Sequence, residues 1–299
     1  MAGPDELVDA GHVRPAGDGR LELGEGLRLL ADGTVVLVDL LAGRLLRVGD
    51  DASSLVEVLR VDGPLGAVAP LADRPGTWLA ATGTGVAVLD ADGRPAWLAH
   101  PGTAPGPPRR VNDAVCDPAG AFWVGIMAWD QTEAAGSLHR VGPDGAVTTA
   151  VDGLTVPNGP AFADGGRTMF LADTPHDAID AFDLDPATGA LSGRRPFART
   201  HELPGNPDGL VVDRDGRLWA AMHGGGCVAA FAPDGGLLGT VPLPARQPTS
   251  VTFTGELMLV TTKTEGLDEV GPLDGAVLAL PSRVRVDPTP AARLPSTPT

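Results

Sequence analysis

The chain has 299 residues, 43% hydrophobic and 20% charged, a composition that can bury a substantial core. A formal net charge of −16 repels phosphate backbones and anionic lipid, which argues against nucleic-acid and membrane partners and suits a protein that attracts cations. Two cysteines, Cys116 and Cys227, are too few for a disulfide framework and read as buried free thiols.

Met1 to Glu6 offers neither a basic start nor an apolar stretch, so no signal peptide is expected there. No window approaches 18 apolar residues, so no transmembrane helix is expected and the reading is a cytoplasmic protein. Residues 7–13 are the first apolar segment. From residue 31 one pattern recurs six times, a glycine turn followed by a short apolar run. Ala31-Asp32-Gly33 precedes 35–40, Arg74-Pro75-Gly76 precedes 78–81, and Pro118-Ala119-Gly120 precedes 122–127. Asp164-Gly165-Gly166, Arg214-Asp215-Gly216 and Phe253-Thr254-Gly255 introduce 169–172, 218–222 and 257–260. The six reference glycines are spaced by 43, 44, 46, 50 and 39 residues.

A further short strand follows each copy, at 43–48, 85–89, 136–141, 178–184, 226–231 and 275–280. Strand, turn, strand at a period of about 45 residues predicts four-stranded antiparallel blades. The expected fold is therefore all-β, a six-bladed β-propeller filling residues 1–286 as one domain around a central channel. Residues 7–13 are expected to supply the outer strand that closes the last blade. The Pro-rich segment 287–299 is expected to be a disordered tail.

The innermost strand of each blade lines the channel, so equivalent positions can be compared around the ring. Eight residues before each reference glycine stand Glu25, Val68, Asn112, Asn158, Asp208 and Gln247. Five of these six carry a carbonyl or carboxylate oxygen. Two carboxylates crowded on one axis repel each other unless a cation lies between them. Carboxylate and amide oxygens suit one hard divalent ion, Ca²⁺ first, with Mg²⁺ and Mn²⁺ as alternatives and Zn²⁺ a further one. The absence of Cys and His from the ring speaks against a tetrahedral structural zinc. Loops between the second and third strands of each blade overhang the same end. They bring Asp130, Glu133, His176 and His223 as candidate pocket residues, with Gln247 at the rim. Asp32, Asp117, Asp213 and Asp215 read as turn residues, and Trp78, Trp123 and Trp219 as packing between blades.

Several short motifs carry a family resemblance: Gly24-Glu25-Gly26, Arg110-Val111-Asn112-Asp113, Pro157-Asn158-Gly159, and Asn206-Pro207-Asp208-Gly209 ending in Gly216-Arg217-Leu218-Trp219. Over roughly Leu23 to Phe253 the chain resembles the regucalcin/gluconolactonase (senescence marker protein) family, six-bladed propellers with a divalent metal, many of which hydrolyse sugar lactones. The resemblance implies metal ligands at Glu25, Asn158 and Asp208, and substrate contacts at Arg110, Asn112 and Asp130. This chain departs from the family pattern at Ala114, Leu27 and Leu29, and it has no Tyr.

The expected function is metal-assisted hydrolysis of a lactone or related cyclic ester, with a small molecule as partner and the chain a monomer or weak homo-oligomer. Asp208 is expected to be the catalytic general base, and Arg110 and Asn112 to orient substrate oxygens. The alternatives are phosphoester hydrolysis, cyclisation or isomerisation at the same site, or a non-catalytic calcium-binding or ligand-sensing propeller.

Overall fold

The computed structural model describes residues 1–295. Six four-stranded antiparallel sheets are arranged as blades in chain order. Their innermost strands are Gly24–Leu29, Leu65–Pro70, Arg109–Cys116, Pro157–Ala163, Asn206–Val212 and Pro248–Phe253. Each of these strands packs against its counterparts in the two neighbouring blades, so the ring is closed. No helix of the described residues is long and apolar enough to cross a membrane.

The six reference glycines recur for a backbone reason. Gly33, Gly76, Gly120, Gly166, Gly216 and Gly255 have φ between +78° and +92°. Glycine adopts that left-handed region without steric cost, so it turns the chain tightly between the first and second strands. In blades three and five an Asp reinforces the turn. Asp117 accepts from the Ala121 N–H and from Trp123 Nε1, and Asp213 accepts from the Arg217 N–H and from Trp219 Nε1. Both indoles are fully buried, and these bonds satisfy the one polar atom that each carries inside.

The last blade is completed by the N-terminus, but its regular pairing falls just downstream of residues 7–13. Arg14–Pro15 is the closing strand, pairing with Ala279 and Leu278 of Val277–Pro281. Upstream, Pro4–Leu7 forms one helical turn, and Leu7, Val8, Ala10 and Val13 pack on the apolar cluster shared by blades five and six. Val8 still bridges to Ser282, with the Asp9 N–H donating to the Pro281 carbonyl and the Arg283 N–H to the Leu7 carbonyl, so residues 7–9 extend the same antiparallel edge beyond the end of the strand. Pro15 is tolerated in the closing strand because an outer strand needs no donor on its solvent side.

The Pro-rich C-terminal segment crosses the far ends of several blades. Val286 bridges to Asp213, Thr289 donates to the Leu29 carbonyl, Ala292 pairs with Leu71, and Arg293 donates to the Gly120 carbonyl. Through residue 295 the segment expected as a disordered tail, 287–299, is therefore bonded to blades one, two and three, and its Asp287 pairs with Arg214 of blade five. The rest of that expectation, 296–299, lies outside the described residues.

Candidate active site

All six innermost strands break ladder register near the ring position. The shifts fall between Glu25 and Arg28, Leu65 and Ala67, Val111 and Ala114, Asn158 and Ala161, Pro207 and Leu210, and Pro248 and Ser250. A β-bulge leaves a residue unpaired and re-aims its side chain. Here the bulges turn Glu25, Asn112, Asn158 and Asp208 into one cavity of about 160 Å³, and all four are at least 95% buried. Val68, the apolar member of the ring position, packs instead in the cluster between blades one and two.

A hydrogen-bond chain runs round one side of this ring. Arg110 Nη1 donates to Asn112 Oδ1 at 2.8 Å, and Asn112 Nδ2 donates to Asn158 Oδ1 at 2.7 Å and to the Pro157 carbonyl at 3.0 Å. Asn158 Nδ2 then donates to Thr174 Oγ1 at 2.7 Å, and that hydroxyl donates to the Pro207 carbonyl at 2.8 Å, beside Asp208. The chain orients both amides and leaves Asn158 Oδ1 facing the cavity with one lone pair to spare.

The opposite side is unsatisfied. Glu25 Oε2, Asp208 Oδ1 and Gln247 Oε1 are buried and have no hydrogen-bond partner among the described residues. Burial, then the nearby Asp113, pushes the Glu25 carboxyl up to about 8. Burial, then Glu25, then Asp113, raises Asp208 well above the ordinary carboxylate range. Unpartnered buried acceptors are costly, and a cation relieves both the desolvation and the repulsion. Among the described residues no three His, Cys, Asp or Glu side chains converge. The oxygens on offer are two carboxylates and neighbouring amides, a donor set that fits a hard divalent cation rather than a thiolate- or imidazole-seeking one.

The rim comes from five of the six overhanging loops, through Leu41, Trp129 with Gln131, Thr174, His223, and Lys263 with Glu265. Arg110 lies against the Trp129 ring at 5.4 Å and is held by Nη1 to the Val111 carbonyl at 2.8 Å. Burial, then the Lys263 charge, lowers His223 to about 4, so it is a neutral imidazole at working pH. Lys263 Nζ pairs with Glu265 Oε2 at 2.7 Å at the cavity wall.

Not every residue expected at the pocket reaches it. Asp130 is exposed, its Oδ1 capping the Thr132 N–H and hydroxyl in a local turn, while its neighbours Trp129 and Gln131 line the cavity. Thr132, two residues on, is the sequence cue for that turn. Glu133 and His176 approach each other at 4.0 Å, and His176 bonds Asp173 at 3.0 Å, away from the ring. Gln247 does not line the cavity, and its Oε1 is buried without a hydrogen-bond partner among the described residues. Sequence reasoning did not single out Trp129, Gln131, Thr174, Lys263 or Glu265. Only loop position marked them, because loop side-chain direction is not periodic.

The SMP-30/Gluconolactonase/LRE-like region matches residues 23–264. Regucalcin of Bos taurus is 32% identical over 250 residues, 81% of this chain and 83% of that one. The pentonolactonase XacC of Haloferax volcanii is 36% identical over 184 residues, 58% of this chain and 62% of that one. Among solved structures, a luciferin-regenerating enzyme superposes with a TM-score of 0.87 at 27% identity, covering 95% of this chain and 99% of that one. A calcium-binding regucalcin of Agrobacterium tumefaciens gives 0.85 at 27% identity, covering 95% and 98%. With the family match spanning residues 23–264 and a regucalcin 32% identical over 81% of the chain, the chain belongs to the SMP-30/gluconolactonase/LRE-like family, here folded as a six-bladed β-propeller.

Proposed function

We propose that the chain hydrolyses a lactone at this ring, with one divalent cation bound by Glu25, Asn158 and Asp208. The observation that carries the reading is the pair of buried, unpartnered carboxylate oxygens facing an ordered Arg110–Asn112–Asn158 chain. Relatives named as lactonases, such as XacC and a sugar lactone lactonase of Rhizobium meliloti at 34% identity, support the substrate class. When bound, a hard cation supplies Lewis acidity toward the lactone carbonyl and a lowered pKa for water.

The protein's own groups do the rest. With a cation offsetting burial and the repulsion from Glu25, Asp208 would be ionised, and its carboxylate accepts the proton of the attacking water. Arg110, whose hydrogen bonds among the described residues all run through Nη1, presents Nε and Nη2 to the oxyanion that forms at the carbonyl. As the ring C–O bond breaks, the departing oxygen takes the proton held by Asp208, and the product is a hydroxy acid. Neutral His223 and the Trp129 face bound the space left for the ring of the substrate.

The test is acid release from five- and six-membered sugar lactones, first in chelator, then with Ca²⁺, Mg²⁺, Mn²⁺ or Zn²⁺ restored. Hydrolysis that stops in chelator and returns with a cation is the expected result. A cation-loaded protein that opens none of the lactones would overturn the reading.

A further inference from the structure

Directly below the oxygen ring lies an ion pair that touches none of its oxygens. Arg28 Nη2 donates to Asp113 Oδ1 at 2.7 Å, and the two side chains are 6% and 1% exposed. The same Nη2 donates to the Ala114 carbonyl at 2.7 Å, and Nη1 donates to the Leu27 carbonyl at 2.8 Å. Asp113 Oδ1 also accepts the Ala114 N–H at 2.8 Å, and its Oδ2 accepts the Gly159 N–H at 3.2 Å.

The partners are placed where the ring is locally weakest. Arg28 ends the bulge that begins at Glu25, Asp113 sits inside the bulge of Asn112, and Gly159 follows Asn158 inside its own. A bulge gives up ladder bonds, so its backbone is free to shift unless something else fixes it. One carboxylate here fixes three bulges in three blades. Nothing in a propeller core requires a charged pair at this depth, where well-packed apolar residues are often as stable.

We propose that Arg28 and Asp113 are positioning residues that hold Glu25, Asn112 and Asn158 in a preformed cation site. The inference rests on the cation reading above and deepens it, for it says why the ring is ready before a cation arrives. Groups of this kind around a metal typically change affinity by about 10–100-fold when removed.

The test uses the full chain with Asp113→Asn, Arg28→Met and the conservative Arg28→Lys. Unfolding in chelator gives the stability of each variant, and Ca²⁺ calorimetry well below every midpoint gives affinity and stoichiometry. The expected result is Ca²⁺ binding weakened about 10–100-fold in Asp113→Asn and Arg28→Met at unchanged stoichiometry. Arg28→Lys, which keeps the charge but not the fork, falls between these variants and the parent. If Arg28→Met does not fold, Asp113→Asn and Arg28→Lys carry the comparison. Variants that unfold earlier in chelator yet bind Ca²⁺ as tightly as the parent would overturn the proposal and leave the pair a purely structural one. A parent protein that binds no cation would overturn the reading of the ring itself.

Discussion

Asp208 lies near the start of the innermost strand of blade five and Asp213 just past its end, and both are buried, yet their surroundings are opposite. Asp213 spends its oxygens on the Arg217 guanidinium, the Trp219 indole and two backbone N–H groups. Asp208 Oδ1 has no partner among the described residues, and the charge that acts on it most is another carboxylate, Glu25. The first arrangement is what a carboxylate needs in order to stabilise a fold. The second makes sense for a group kept for something that binds, and the contrast separates the turn end of the channel from the ring end.

The contrast is broken most sharply by exchanging charge at each site. Asp208→Asn is expected to lower lactone hydrolysis by about 10²–10⁴-fold, the usual contribution of a positioned acid–base group. It should also raise the unfolding midpoint in chelator, because a buried unpaired acid has gone. Hydrolysis at the parental rate would remove Asp208 from the chemistry. Asp213→Ala is expected to do the reverse. It breaks a buried pair and orphans an indole, at about 3–5 kcal/mol of stability, while Ca²⁺ affinity below the midpoint stays parental. The smallest effect belongs to the rim. Trp129, 49% exposed beside Arg110, offers an aromatic face to a bound ring, so Trp129→Ala should raise KM about 3–10-fold at unchanged kcat and midpoint. A fall in kcat with KM unchanged would place Trp129 in the transition state and not at the mouth.

The fold was readable because every blade repeats one backbone requirement, a left-handed glycine at the first turn. The ring was readable for the same reason, since radial equivalence lets one position be compared six times. The closing strand was readable only in part, because Val8 bridges to Ser282 while Leu7, Ala10 and Val13 pack on the cluster of blades five and six and the regular pairing falls on Arg14–Pro15. Asp130 misled because its type fits a pocket, while the bond to Thr132 decides its direction. Arg28 left a trace that sequence reasoning passed over, a charge interrupting the apolar run Leu27 to Leu30. Its partner in another blade could only be found once the bulges were in place.

The central claim is that the ring is a cation site, and thermal unfolding of chelated protein with and without Ca²⁺ tests it most directly. Glu25 is pushed up from 4.5 to about 8, so the chelated native chain keeps a proton that the unfolded chain releases between those values. Native-state stability in chelator therefore falls as pH rises through that window. A cation that displaces the proton should reverse the fall, so Ca²⁺ is expected to raise the midpoint more at pH 8 than at pH 5, with one ion bound per chain. A midpoint that does not respond to Ca²⁺, Mg²⁺ or Mn²⁺ at either pH would contradict the account.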